Sequence, residues 1–130
     1  MKSCCIVENV NGYEINAKAV LSGTDLIVIV NGGTKPHIGS ISVAVARESL
    51  LKNGSMSATV STFNMLGHKD DEIGNMFARE IAMVTGSTCV VTCGIHIDCI
   101  NKDEIDSVVA ASQKLLGRMK EVLQKMDMDT

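Results

Sequence analysis

Aromatic side chains are almost missing from this sequence: Tyr13, Phe63 and Phe77 are the whole set in 130 residues, and there is no tryptophan. Proteins that hold single-stranded nucleic acid stack bases on aromatic rings inside a basic groove. Here 12 Lys and Arg stand against 15 Asp and Glu, the formal charge is −3, and no basic stripe gathers along the chain. Nucleic acid is therefore not an expected partner. No apolar run approaches the roughly 18–20 residues that span a bilayer. The start, Met1-Lys2-Ser3-Cys4-Cys5-Ile6-Val7-Glu8, lacks the hydrophobic stretch of an export signal. The chain reads as made and kept in the cytoplasm, with no membrane partner.

Cysteine is present but badly spaced for chemistry. Cys4, Cys5, Cys89, Cys93 and Cys99 form an odd set without a Cys-x-x-Cys pair, which fits neither a disulfide framework nor a tetrahedral zinc site. Cys89 and Cys93 lie four apart in a strand-like run, so they share a face and read as buried thiols acting as small hydrophobes. With 45% apolar and 21% charged residues, the composition is that of a globular chain, and its length suits one domain over residues 1–130.

The first half alternates with a period of two. Ser3 to Asn9 is a short strand, Asn11-Gly12 a hairpin turn, and Tyr13 to Leu21 a second strand with Ile15, Ala17, Ala19 and Leu21 on one face. Leu26 to Val30 is apolar without interruption, the pattern of a central strand covered on both faces. Ser40 to Ala46 and Ser57 to Phe63 read as further strands. From Asp70 the period becomes helical through Ile73, Met76, Phe77, Ile81 and Val84, and Gly86 ends it. Thr88 to Ile97 returns to strand. Asn101 and Glu104 form a capping box that opens a long C-terminal helix through Leu115, Leu116, Met119 and Leu123. The expected fold is α+β: a two-layer sandwich of a mostly antiparallel sheet, about five to six strands, with two helices packed on one face.

Three histidines stand out because each lies beside glycine at the end of an element: His37-Ile38-Gly39, Gly67-His68-Lys69 and Gly94-Ile95-His96-Ile97-Asp98. Glycine there lets backbone approach a ligand, and loops on a rigid scaffold carry function. His68 and Lys69 precede a helix N-terminus, a place that attracts phosphate or carboxylate. Asp70, Asp71 and Glu72 compete for the same positive end, and a plain helix cap with a solvated histidine is the other reading. His96 and Asp98 alternate along a strand end, so the carboxylate can orient the imidazole; otherwise Asp98 only ends the strand. The segment Asn31 to His37 is glycine-rich without matching a phosphate-loop motif, and an ordinary hairpin loop explains it as well. Three histidines also allow a His₃ metal centre, although spacings of 31 and 28 residues do not require that they meet. Met56, Met65, Met76, Met83, Met119, Met126 and Met128 read chiefly as core filler. No residue set reads as a catalytic triad.

The three segments His37-Ile38-Gly39-Ser40-Ile41-Ser42-Val43-Ala44, Gly67-His68-Lys69-Asp70-Asp71-Glu72-Ile73 and Gly94-Ile95-His96-Ile97-Asp98 resemble, in order, the motifs of the LpdD-like prenylated-flavin chaperone family. That family is related in fold to the eukaryotic proteasome assembly chaperones. The resemblance runs from about Tyr13 to the C-terminal helix. It implies a non-catalytic accessory protein that binds prenylated FMN for a UbiD-type hydroxyaryl acid decarboxylase, and the fold relationship implies a homodimer. Carried onto this sequence, it implies cofactor contacts from His37, Gly39, Gly67, His68, Lys69, Gly94, His96 and Asp98, with no catalytic and no metal-ligating residue. Met65, Leu66, Ile95 or Ile97 would then have to line the flavin ring in place of aromatics. Two other readings stay open on the residues alone: a structural assembly chaperone that binds a protein partner, and a histidine-based metal-dependent enzyme.

Overall fold

The computed structural model describes residues 2–51, 54–65 and 69–126. Six strands and two helices follow in the order β1 (Ser3–Val10), β2 (Tyr13–Ser22), β3 (Asp25–Gly33), β4 (Ser40–Glu48), β5 (Met56–Asn64), α1 (Asp70–Thr85), β6 (Cys89–His96) and α2 (Lys102–Lys125). The sheet order is β1-β2-β3-β6-β4-β5. All neighbours are antiparallel except β3 and β6, which run parallel. The class is α+β, as the period of the sequence indicates. Among the described residues no helix is long and apolar enough to cross a membrane.

Tight turns join the first three strands: Asn11 and Gly12 both adopt positive φ, the backbone of a two-residue hairpin turn, between β1 and β2, and Gly23 adopts it between β2 and β3. β6 then enters between β3 and β4. The segment 34–39 is accordingly a crossover over the end of β6 and not the hairpin loop that its glycines suggest. Parallel pairing cannot be closed by a short turn, and here α1 and β5 lie in the intervening chain.

Both helices cover one face. Ile15, Ala17, Ala19, Leu21, Leu26, Val28, Val30, Val91 and the two thiols Cys89 and Cys93 meet Ile73, Phe77 and Ile81 of α1 and Leu115, Met119 and Leu123 of α2 in one core. α1 lies close to the sheet because β4 presents small residues on this side, Ser40, Ser42, Ala44 and Ala46, with Gly74 of the helix against the two serines. The serine hydroxyls are satisfied, Ser40 by the Asp70 carbonyl at 2.8 Å and Ser42 by Thr62 at 2.9 Å. α2 begins with the expected capping box, in which Glu104 N–H donates to Asn101 Oδ1 at 2.8 Å. Met119 is core and Met76, Met83 and Met126 pack partly against it, whereas Met56 and Met65 are exposed and Met128 lies outside the described residues.

One sequence expectation fails here. Leu26 to Val30 is covered on one face only: Leu26, Val28 and Val30 are buried, but Ile27 and Ile29 are 43% and 38% exposed. The continuous apolar run is real, and the described residues supply no second layer for it.

Cys89 and Cys93 have thiol pKa values raised by burial, Cys89 to about 12, and Cys93 further by the nearby Asp70 and Asp71 carboxylates. Cys5 and Cys99 are exposed. Alkylation of the folded protein at neutral pH should therefore modify Cys5 and Cys99 and spare Cys89 and Cys93 until denaturant is added, as read by peptide mass. Early modification of either inner thiol would contradict this packing.

At the sheet edge, Arg118 and Lys114 of α2 reach Glu8 at 2.7 and 3.3 Å. Donation from Arg118 holds the Glu8 carboxyl below the usual carboxylate range. A lowered folded-state pKa contributes stability at neutral pH that disappears as pH falls through that value. Glu8→Gln should lower the urea midpoint at neutral pH and leave stability at acid pH close to the native value. Equal losses at both pH values would show that the charge pairing is not responsible.

Candidate functional site

The site forms where β6 ends. Its carbonyls receive the crossover: Thr34 N–H donates to His96 O at 2.7 Å, Lys35 N–H to the same oxygen at 3.2 Å, and Gly39 N–H to Cys93 O at 2.8 Å. Thr34 Oγ1 also donates to His96 O, at 3.1 Å, and accepts from Asp98 N–H at 3.1 Å. The crossover is thus held against the strand end almost residue by residue. Gly94 makes this approach possible, because a Cβ there would run into the His37 carbonyl. Gly39 does the same toward α1, where a Cβ would strike the Asp70 carboxylate.

Asp70 joins three elements. It is the first residue of α1, nearly buried, and its Oδ1 accepts the Ile95 N–H at 3.0 Å while Oδ2 lies 3.5 Å from His37 Nε2. A carboxylate at a helix N-terminus is also favoured by the helix dipole. Lys69 occupies the N-cap without a side-chain cap, and its ammonium reaches Glu72 at 3.4 Å. His37 Nδ1 faces the Lys35 carbonyl at 3.1 Å, which fixes the ring.

A second histidine–carboxylate pair lies alongside. His96 Nε2 is 3.0 Å from Asp98 Oδ1, and Lys35 Nζ is 3.9 Å from the same oxygen. The two imidazoles meet edge to face with centroids 6.2 Å apart. Next to them opens a cavity of about 390 Å³, within the size range of small-molecule and cofactor sites. His37, Lys69, Asp70 and His96 make its polar side, and Ile73, Ile95, Ile97, Ile100, Ile105, Val108 and Val109 its apolar wall, with Cys99 between. Cys99 holds a left-handed backbone (φ 58°), uncommon for a residue other than glycine or asparagine. Among the described residues, no group of three or more His, Cys, Asp or Glu is placed to hold a metal ion.

This arrangement suits a ligand with a polar, hydrogen-bonding end and an apolar body. The sequence and its fold match known proteins accordingly. Residues 9–124 match the family model described as the prenylated flavin chaperone LpdD-like domain. Protein LpdD of Lactiplantibacillus plantarum is 31% identical over 106 residues, covering 80% of this chain and 73% of that protein. The chain belongs to the LpdD-like family. Its fold is also that of a solved yeast structure, a novel chaperone complex for 20S proteasome assembly, with a TM-score of 0.58 over 94% of this chain and 97% of that one, at 16% identity.

In this LpdD-like chain the structure brings together His37, Gly39, Lys69, Gly94, His96 and Asp98 from three distant stretches of sequence. Gly67 and His68 lie outside the described residues, as does Leu66. Of the side chains expected to line the apolar slot, Ile95 and Ile97 do so, and Met65 is exposed instead. Asp70 reverses its expected role: it does not merely compete for the helix end but ties that end to β6 and His37. Sequence reasoning also missed the wall contributed by α2. A signal for it was present, since Ile100 and Ile105 occupy the positions before and four after the Asn101 cap, where a hydrophobic staple fixes the chain's entry into a helix.

Because Gly94 is tight against backbone and not against a flexible side chain, Gly94→Ala should force the crossover off β6. We expect a loss of about 1–3 kcal/mol in urea denaturation, the range for overpacking a close-packed interior, with broadened His37 and His96 proton resonances. A variant as stable as the native chain would show that the crossover is not held this closely.

Proposed function

We propose that this chain binds prenylated FMN in the cavity beside His37 and His96 and serves, in the cytoplasm, as a non-catalytic chaperone of a UbiD-type hydroxyaryl acid decarboxylase. The observation that carries the reading is the division of the cavity. Its polar side gathers Lys69 and two imidazoles already oriented by carboxylates, and its other wall is isoleucine and valine.

The residues fit such a group. The phosphate of a flavin nucleotide would take the Lys69, His37 and His96 side, where charged and polar donors converge. The ring system and its prenyl-derived addition would lie against Ile73, Ile95, Ile97 and Val108, which remove apolar surface from water without stacking. The absence of aromatics then has a use: an aliphatic wall holds a flavin without the π contact that would retain it tightly, as a protein that hands its ligand on requires. Asp70 and Asp98 act on the ligand through the histidines they position. Prenylated FMN, when bound, supplies its decarboxylation chemistry in the partner enzyme.

Anaerobic titration with FMN and prenylated FMN, followed by flavin absorbance and fluorescence, tests this reading. Saturable binding of the prenylated form is expected, weakened roughly tenfold by His96→Ala or Lys69→Ala, the scale of one charge-assisted hydrogen bond. Failure of the native chain to bind either flavin, together with unchanged decarboxylase maturation in its absence, would remove the proposal.

A further inference from the structure

The two borders of the sheet are closed to different extents. On β1, Leu21 N–H donates to Lys2 O at 2.9 Å, which sets the alternation of the ladder and turns the backbone groups of Cys5, Val7 and Asn9 away from β2. Arg118 closes that border by donating to Val7 O at 2.7 Å. On β5, Ser49 N–H donates to Ser55 O and Met65 N–H to Gly39 O, both at 2.9 Å. The register between these bonds is unbroken, from Ser40 opposite Asn64 to Glu48 opposite Met56. Ala58, Val60 and Thr62 therefore direct their N–H and C=O outward. Arg79 donates to Ala58 O at 3.4 Å. Among the described residues, nothing bonds the outward N–H and C=O of Val60 and Thr62. Sheet edges are ordinarily blunted by lysine, proline or a bulge. β5 has none of these, being uncharged, without proline and in continuous register.

Beside this open stretch lies a groove of about 340 Å³ between β5 and α1, lined by Thr62, Asp71, Glu72 and Asn75. Its floor is fixed: Thr62 Oγ1 lies 2.9 Å from Ser42 Oγ and accepts from Asn75 Nδ2 at 3.1 Å. Lys69 pairs with Glu72 at 3.4 Å, and among the described residues no cation pairs with Asp71. On the other face of the same strand, Phe63 is 68% exposed.

We infer that the Val60–Thr62 edge of β5 takes up an extended segment of another protein in which cationic residues alternate with apolar ones. An added strand gains affinity from main-chain hydrogen bonds and specificity from its alternate side chains. Those side chains point in turn to the two faces of the sheet. On the helix side they meet the carboxylates of Asp71 and Glu72, which a lysine or arginine satisfies and a glutamate or aspartate repels. On the far side they meet Phe63, against which valine or leucine loses apolar surface to water. The open edge carries the inference, and the groove selects the residue type. A second copy of β5 does not fit as well, because that strand has no cation to offer Asp71. No residue of β5 lines the cavity beside His37 and His96, so the inference does not rest on the flavin reading.

Amide hydrogen exchange and heteronuclear NMR of the isotope-labelled native chain test it. Without a partner, the Val60 and Thr62 amides should exchange faster than those of Thr59 and Ser61, which face β4. The probe is a blocked heptapeptide of alternating lysine and valine. It should shift the Val60 and Thr62 resonances saturably and slow their exchange. Replacing its lysines by glutamate, or Asp71→Asn in the chain, should weaken binding about tenfold, the scale of one charge-assisted hydrogen bond. Methylating one alternate set of probe amides should abolish binding, and methylating the other should leave it unchanged, as pairing along one edge requires. The probe series uses the native chain, so it decides the matter even where Asp71→Asn does not fold. Val60 and Thr62 amides already protected in the native chain overturn the inference, as does a glutamate probe that binds equally well. So does protection that grows with the concentration of the chain alone, since that assigns the edge to a second copy.

Discussion

The Asp70 carboxylate is the contact on which the site depends. It begins α1, accepts the Ile95 amide of β6 and faces His37 on the crossover. A helix, a strand end and a loop are thereby fixed to one nearly buried charge. Such a group is costly to bury unless hydrogen-bonded, so the surroundings are constrained in turn. Gly39 leaves room for the carboxylate, and Ser40 secures the backbone of the same residue through its carbonyl. The placement of His37 beside the end of β6 follows from that fixed point.

Much of the fold was legible because its elements announce themselves locally. The Asn11-Gly12 turn, the period change at Asp70, the Gly86 stop and the Asn101–Glu104 box all act within a few residues, and each lies where the sequence puts it. Strand order was not legible. That β6 enters between β3 and β4 depends on pairings over more than sixty residues, such as Thr88 N–H with Asp25 Oδ1, and nothing local records them. The uncovered face of β3 escaped for a related reason: an apolar run states what a strand would prefer to touch, not which molecule supplies it.

The site was half legible. Glycine next to histidine marked the three loops, and the His96–Asp98 pair followed from alternation alone. Asp70 was harder to see, because a helix-start aspartate has a sufficient local explanation in the dipole. Its real partners are the Ile95 amide and His37, twenty-five and thirty-three positions away along the chain, in elements that meet only in the folded sheet. The wall from Ile100 to Val109 belongs to a helix whose apolar face was read as core, and its first turns instead border the cavity.

The insertion of β6 has a consequence for assembly. β1 to β3 form a meander of neighbouring pairs, and β4, β5 and α1 form a second local unit. Each closes on short-range contacts, which form early and fast, whereas the parallel β3–β6 seam must bring together distant stretches and is slow to form. The cavity lies on that seam, its polar side shared between the crossover, β6 and α1. A half-made chain emerging from synthesis therefore lacks the cavity, whose walls come together only when the last strand has entered the sheet and α2 has packed beside it.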